Sequence, residues 1–499
     1  MLQSAPSSDA DAVFEAAVAA IKAGLEAEAV PRLEAALRVH PKDARLWQLL
    51  GLAYRGLDDL APAVKALAKA AALAPADPLI AHGYARAALE AGLAAGGLFE
   101  DAHRLAPNDA SILLGRAAAL FAEGRVAEAI EGLEAQLRRH PGWIDGHATA
   151  ARLKWMEGAG ARFTETFEEA LRAIPRDVPV WRALIDTLMH ADLYDEALAI
   201  VARGRAAAGP DPAFDAAEAV ATAEKGEAAA ADRLFAAIAP LRHITMVLRY
   251  VRHLLRSGRP EVAVQVAEPW IPHDPDNLLW PYLSAGWRLT GNPRWQWLEG
   301  DERFVGVYDL AEAIPSLGAL AGRLRSLHLA THQPLEQSVR GGTQTDGPLF
   351  SRLAPEIRSL RSAVVAAVER HVAQLPPRQP GHPLLAPERG PIRFAGSWSV
   401  RLTGGGRHAN HIHPAGWLSS ALYVALPEEA ERGPAPAGWL TLGEVSELGL
   451  DLPPIRLIEP KPGRLVLFPS TMWHGTRPFA AGERLTVAFD VARPGAPRA

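Results

Sequence analysis

The chain contains no cysteine among its 499 residues. That absence excludes disulfides, thiol catalysis and thiolate-held metals, so any metal here must sit on His, Asp or Glu. It also fits a reducing compartment. An excess of positive charge is missing too: 52 Lys and Arg against 57 Asp and Glu leave a formal charge of -5. Such a chain lacks the field of a basic domain, and no nucleic-acid partner is expected. No stretch of about 18 residues is both apolar and uncharged, so neither a membrane span nor a membrane partner is expected. The opening MLQSAPSSDA has no basic start followed by an apolar run, which argues against a secretory signal. What remains is the expectation of a soluble, cytoplasmic protein, and the abundance of Ala and Arg points to a bacterial one.

Apolar side chains are plentiful at 49%, enough for sizeable cores. The length suggests roughly two to four domains. From residue 11 to about 290 the pattern is helical. Ala, Leu, Glu and Arg dominate, and apolar residues recur three or four apart. Prolines punctuate it at Pro41, Pro75, Pro107, Pro141, Pro175, Pro210, Pro240 and Pro275, with spacings of 34, 32, 34, 34, 35, 30 and 35 residues. Two short helices and two turns take about that length, and a proline stops one unit before the next begins. Inside a unit, Trp47, Leu50, Gly51 and Tyr54 fall on one helix, and Ala63, Leu67 and Ala70 on the next. Small residues at Gly51 and Ala63 let the two helices approach closely. The scheme returns in part at Ala129, at Trp181, Leu184 and Ala197, and at Ala263. The stretch 211–245 is degenerate. This period resembles the tetratricopeptide repeat over residues 8–290. The resemblance implies an all-α superhelix with a concave groove that takes a protein or peptide. The plainer alternative is a stiffening or self-associating array.

After about residue 295 the pattern changes. FVGVYDL (304–310) reads as a strand, and 311–329 and 351–375 as helices. Residues 372–391 read as a proline-rich loop. From 392 onward short strands alternate with turns: SWSVRL (397–402), LSSALYVAL (418–426), GWLTLG (438–443), GRLVLFP (463–469) and RLTVAFDV (484–491). Strands without intervening helices argue for an antiparallel barrel or jelly roll, with helices packed outside it.

The histidines cluster unusually. His408, His411 and His413 lie within GGGRHANHIHPAGW. On a strand, His411 and His413 point the same way and Ile412 the other. His474, in PSTMWHGTRPF, follows the strand GRLVLFP, and an antiparallel barrel can set the end of a late strand beside an early one. Three imidazoles then form a metal-binding face suited to Fe, Zn, Ni or Cu, provided each ring's second nitrogen finds an orienting acceptor. Spacing alone leaves the blander readings open: a chance HxH, solvated loop histidines, or His474 packed on Trp473.

Several stretches resemble the non-haem iron, 2-oxoglutarate-dependent oxygenases, in a bacterial branch often fused to tetratricopeptide repeats. They are QSVRGGTQT (337–345), GSWSVRL (396–402), HANHIHPAGWLSSALYV (408–424), LVLFPSTMWHGTRPF (465–479) and RLTVAFDV (484–491). The resemblance implies a multidomain chain, with a repeat domain at 8–290 and an oxygenase domain at 291–499. The latter's core, at 392–492, is a double-stranded β-helix (jelly roll) with flanking helices. It implies Fe(II), 2-oxoglutarate and O2 as cofactors, and His411 and His474 as metal ligands. His413 stands where the superfamily places a carboxylate. Either three histidines bind iron, or His413 lies close by and water completes the site. With His413 as ligand the ferrous site keeps a charge of two before cosubstrate binds, which favours an anionic cosubstrate.

Arg484 stands where a basic residue grips the far carboxylate of 2-oxoglutarate, a task suited to its planar fork. Its alternative is a surface ion pair. Thr486, Ser399 and Tyr423 are further candidates for cosubstrate binding. His408, Asn410, Arg340, Thr343, Gln344 and Trp417 are candidates for facing substrate or supporting the ligands. Arg340, Thr343 and Gln344 could equally form a structural turn, and Trp398, Trp417 and Trp473 are read as core or rim. The implied activity is a dioxygenase that hydroxylates a protein or peptide side chain recruited by the repeats. Two other readings stay open: a scaffold that has lost turnover, and a three-histidine oxygenase that does not use 2-oxoglutarate.

Overall fold

A computed structural model of the chain describes residues 9–335, 337–414 and 416–495. The segment read for a leader, with the first residue of the expected repeat domain, lies outside them. Among the described residues the regular elements up to Glu299 are all helices, and antiparallel strands begin at Gly306. The periodic prolines sit in turns, and an aspartate within two residues of several of them caps the following helix. Asp43 accepts from the Arg45 N–H at 2.9 Å, and Asp77, Asp109, Asp177 and Asp211 repeat the arrangement. The Trp47 indole donates to the Pro41 carbonyl at 3.0 Å and that of Trp181 to the Pro175 carbonyl at 2.8 Å, so one residue of the next helix locks each turn. At Gly51 an added Cβ would lie 2.5 Å from Leu67 Cγ, so the glycine is what lets helix Ala44–Gly56 seat on helix Leu60–Leu73. These helix pairs form the tetratricopeptide-like part of the fold.

The chain forms two compact units. The first runs to Leu133 and includes Asp346–Arg358. Its helices pack around Leu33, Leu46, Leu50 and Ala53, and further along around Phe99 and Ile112. The second, Glu134–Thr345 with Ser359 onward, holds the remaining repeat helices and every described strand. Within it, helices Ile244–Arg256 and Trp280–Leu289 share a core with the β-structure, where Val251, Leu254, Leu283 and Trp287 meet Val445, Leu448 and Trp473. The Trp473 indole donates to the Pro281 carbonyl at 3.1 Å.

The strands are β1 (Gly306–Asp309), β2 (Val339–Gln344), β3 (Phe394–His408), β4 (Gly416–Ala425), β5 (Leu440–Leu442), β6 (Arg456–Ile458), β7 (Arg464–Pro469), β8 (His474–Thr476) and β9 (Glu483–Ala492). They form a six-stranded sheet in the order β1-β7-β4-β9-β3-β2 and a three-stranded sheet β6-β5-β8, with all pairings antiparallel. Leu440, Leu442, Val466, Phe468 and Met472 pack together in the core, with Tyr423 among them. This is the jelly roll expected from the strand pattern. RGGTQT is an edge strand, β2, with a bulge at Gly341, whose φ of +72° glycine adopts without strain.

One buried acid strains this unit. Glu299 is 4% exposed; Ser284 Oγ donates to its Oε2 at 2.5 Å, and Oε1 has no partner among the described residues. Burial pushes its pKa up to about 7. Because the folded value lies above the unfolded one, ionisation opposes folding: the penalty is absent below about pH 4.5, grows toward pH 7 and is complete above it. Glu299→Gln is expected to raise unfolding stability by about 2–3 kcal/mol at pH 8 and by little at pH 4.5, read from urea unfolding at both pH values. Equal effects at the two pH values would refute it.

Candidate metal centre

The convergence of the histidines is a backbone event. His411 and His474 form an isolated antiparallel bridge: the His411 N–H donates to the His474 carbonyl at 2.9 Å, and the His474 N–H to the His411 carbonyl at 3.0 Å. The His413 N–H donates to the Ser470 carbonyl at 3.0 Å. A chain that has just left β3 is thereby stitched to the start of β8 and to the turn before it. The same alternation turns Ile412 away, to pack beside the core that contains Trp473. One ring nitrogen from each of His411, His413 and His474 lies within 4.8 Å of the others.

The second nitrogens decide what this cluster can do. Nδ1–H of His411 donates to the Ala409 carbonyl at 2.8 Å, that of His474 to the Met472 carbonyl at 3.0 Å, and that of His413 to the Asp490 carboxylate at 2.7 Å. A carbonyl can only accept, so in His411 and His474 the proton resides on Nδ1 and Nε2 keeps its lone pair. Burial, and then the neighbouring imidazoles, hold His411 and His474 well below the usual histidine range. Burial also acts to lower His413, but the charge and hydrogen bond of Asp490 outweigh it and raise its pKa. The His413 ring is further fixed by Trp398, stacked on it at 5.5 Å with an interplanar angle of 4°. Three imidazoles presented by Nε2, each held at its other nitrogen, fit a divalent first-row metal and leave further coordination positions free. Ser338 Oγ lies 3.2 Å from His411 Nε2 and 3.1 Å from His408 Nδ1, so its hydroxyl must turn aside for a metal to bind.

The histidines open onto a cavity walled by Trp398, Ala421, Leu440, Phe468 and Ala488. Strand β9 supplies its floor with alternate residues: Arg484, Thr486, Ala488 and Asp490 all line it. Arg484 is 2% exposed. One terminal nitrogen donates to the Gly438 carbonyl at 3.1 Å, while Nε has no partner among the described residues. The guanidinium carbon sits 5.0 Å from the Tyr423 ring centroid. Burial lowers the pKa of Arg484 and raises that of Tyr423, and the Tyr423 hydroxyl is likewise without a partner among the described residues. A buried cation with an unused donor at the end of a cavity is costly unless an anion answers it.

The cavity gathers His408, His411, His413, His474, Arg484, Thr486 and Gln344 from the residues singled out in the sequence. Burial, followed by Arg484 and His413, lowers His408 to about 3. Other candidates lie elsewhere. Ser399 alternates with Trp398 and faces away; its hydroxyl bonds to the Thr486 carbonyl at 3.0 Å and to His328 Nε2 at 3.1 Å. Thr343 holds the other nitrogen of that His328 at 2.8 Å. The Asn410 side chain ties Thr441 to Ser446. The Trp417 indole donates to the Leu384 carbonyl at 2.8 Å. Arg340 reaches Asp192 at 3.2 Å, on the repeat side. Tyr423 lies against Arg484 without lining the cavity. Two neighbours of the histidines escaped the sequence reading. Ser338 lies in the stretch QSVRGGTQT that carries part of the resemblance, but it was not singled out there. Asp490 had a signal: strand alternation from Arg484 through Thr486, carried two steps further, reaches it.

Fold and pocket together define a class: tetratricopeptide-like helix pairs followed by a jelly roll with a three-histidine pocket. Residues 396–490, within the strand-rich C-terminal part, match the family described as "Putative 2OG-Fe(II) oxygenase". No curated protein matches the chain. Among solved structures, MamA from Desulfovibrio magneticus RS-1 is similar at 18% identity and TM-score 0.31, over 35% of this chain and 99% of that one. A tetratricopeptide repeat protein from Parabacteroides merdae is similar at 16% identity and TM-score 0.31, over 47% and 95%. A prolyl-4-hydroxylase from Pseudomonas putida is similar at 18% identity and TM-score 0.26, over 38% and 94%. Among the described residues, no helix is long and apolar enough to cross a membrane.

Proposed function

We propose that the protein is a non-haem Fe(II), 2-oxoglutarate-dependent oxygenase that hydroxylates a side chain of a protein or peptide brought to it by the repeat helices. The observation that carries this reading is the joint arrangement of three Nε2-presenting imidazoles and a buried, under-bonded Arg484 on one cavity. His411, His413 and His474 would hold the iron, and Arg484 the far carboxylate of 2-oxoglutarate. Iron with its cosubstrate and O2 supplies the oxidising power, converting 2-oxoglutarate and a C–H bond to succinate, CO2 and a hydroxylated product. The chain's own part is positional. The pinned Nδ1 atoms keep the ligand lone pairs aimed. Arg484, with Thr486 beside it on the same strand face, would orient the cosubstrate through its far carboxylate. Trp398, Leu440 and Phe468 limit water in the cavity.

In this reading residues 8–290 recruit and residues 291–499 react. A charged recess supports a route between the two roles: it is lined by Asp186, Asp192, Glu224 and Arg249 from the repeat helices and by Leu335 and Arg340 from the segment leading into β2. Gln337 borders both this recess and the histidine cavity. Glu224 is saturated by Arg252 and Arg256, whereas Arg249 stands 3.9 Å from it and is 46% exposed. Arg249→Ala with Asp186→Asn is expected to raise KM for the polypeptide substrate about 10-fold or more, leaving substrate-independent succinate release unchanged.

The test of the reading is anaerobic loading with Fe(II) and 2-oxoglutarate, which should develop a weak visible charge-transfer band, followed by succinate release in air. Iron binding without 2-oxoglutarate binding would favour the three-histidine alternative. Binding of neither would leave a scaffold.

A further inference from the structure

The ligand position that a two-histidine, one-carboxylate site gives to an acid is taken in this reading by His413, and a buried acid stands behind that ring. Asp490 Oδ2 accepts from His413 Nδ1 at 2.7 Å. Its other oxygen, Oδ1, accepts from Ser419 Oγ at 2.6 Å, and Ser419 stands directly opposite Asp490 on the paired strands β4 and β9. Asp490 is 8% exposed. It differs from the acceptors behind the other two histidines, which are neutral carbonyls.

We propose that Asp490 is a positioning residue that supplies, from behind His413, the negative charge a carboxylate ligand would otherwise contribute. This rests on the three-histidine metal reading above. A divalent ion on three neutral imidazoles carries two positive charges; with Asp490 hydrogen-bonded through one imidazole, metal, ligands and acid sum to one. That is the charge of a site with a carboxylate in direct contact. The unshielded doubly charged site expected from the ligand positions alone is therefore corrected by one residue on another strand. The electrostatic route is short, because the donor proton of His413 points at Asp490 while Nε2 points into the cavity. A carboxylate partner makes an imidazole a stronger donor to a metal than a carbonyl partner does, and it fixes which nitrogen is free. His413 alone of the three thus has a charged partner behind it, and Trp398 is stacked on its face, 5.5 Å away between centroids with an interplanar angle of 4°.

The experiment uses the full-length protein and Co(II) as probe, with affinity read from its visible absorption and by competition with a chelator. Asp490→Asn keeps the shape: the amide oxygen can accept from His413 Nδ1–H, and the amide nitrogen can donate to Ser419 Oγ. It is expected to fold, to melt near the wild-type temperature and to bind Co(II) about 10–100-fold more weakly. In a His413→Ala background the same change should cost nothing further, because Asp490 acts only through that ring. Ser419→Ala removes a neutral hydrogen bond and leaves the charge, so its affinity should stay within about threefold of wild type. Wild-type affinity in Asp490→Asn, an undiminished loss in the His413→Ala background, or a tenfold loss in Ser419→Ala would each overturn the proposal. If Asp490→Asn fails to fold, Asp490→Ala is read in its place, alone and in the His413→Ala background, with the same expected and overturning outcomes. Wild-type protein that binds no Co(II) would instead defeat the metal reading itself.

Discussion

His474→Ala is expected to lose Fe(II) affinity by more than the roughly 10–100-fold that follows loss of an outer partner of a ligand, because the ligand itself is gone. The fold should survive the change. What brings His474 to His411 is a pair of backbone hydrogen bonds, and alanine keeps both. The ring does pack against Phe468 at 4.7 Å between centroids, so a modest fall in melting temperature is anticipated. His411→Ala should behave alike. The measurement is calorimetric titration of the metal-free protein with Fe(II) under anaerobic conditions, beside a thermal melt of each variant. A well-folded His474→Ala protein with wild-type affinity would remove the basis for the site.

Arg484→Met should separate function from stability in the opposite sense. Losing one partner of a buried, charge-assisted carboxylate contact costs on the order of 2–5 kcal/mol. The Kd for 2-oxoglutarate should therefore rise at least about 30-fold, while metal affinity is spared. Without cosubstrate, however, Arg484 is a desolvated cation whose Nε has no partner among the described residues. An apolar side chain of similar length relieves that burden, so the ligand-free variant should melt at the wild-type temperature or above it. A residue kept for binding at the expense of the empty fold gives this signature, and one kept for structure does not. Thermal melts with and without 2-oxoglutarate test it: the wild type should be stabilised by cosubstrate and the variant should not. A variant that loses stability but still binds 2-oxoglutarate would assign Arg484 to the core.

The helical repeats were legible because their signals are local. A proline every 30–35 residues and the small residues Gly51 and Ala63 state where helices stop and which faces meet. The aspartate caps beside those prolines are just as local, although they were not read from the sequence. The three histidines and Arg484 were legible through strand alternation together with motif resemblance. Which of the remaining candidates line the cavity was not legible, for one physical reason. Ser399, Asn410 and Thr343 were chosen by chemical type and nearness in sequence, but whether a residue beside a strand faces the cavity or the opposite surface depends on a single step of register. Ser399 is one residue from Trp398 and so points elsewhere. Asp490 has the right parity, yet its role depends on contacts with β4 and with His413, 77 positions away.

Composition and periodicity by themselves determined that this chain stacks helices first and strands afterward, and that any metal must rest on imidazole or carboxylate. Those properties follow from local propensity and from which side chains exist at all. Tertiary structure alone decided that His411 and His474 meet through a backbone bridge, that Ser338 reaches the rings of His408 and His411, and that Asp490 stands behind His413. Such meetings are set by the pairing of distant strands, and pairing energy belongs to both partners at once, so neither segment read alone contains it.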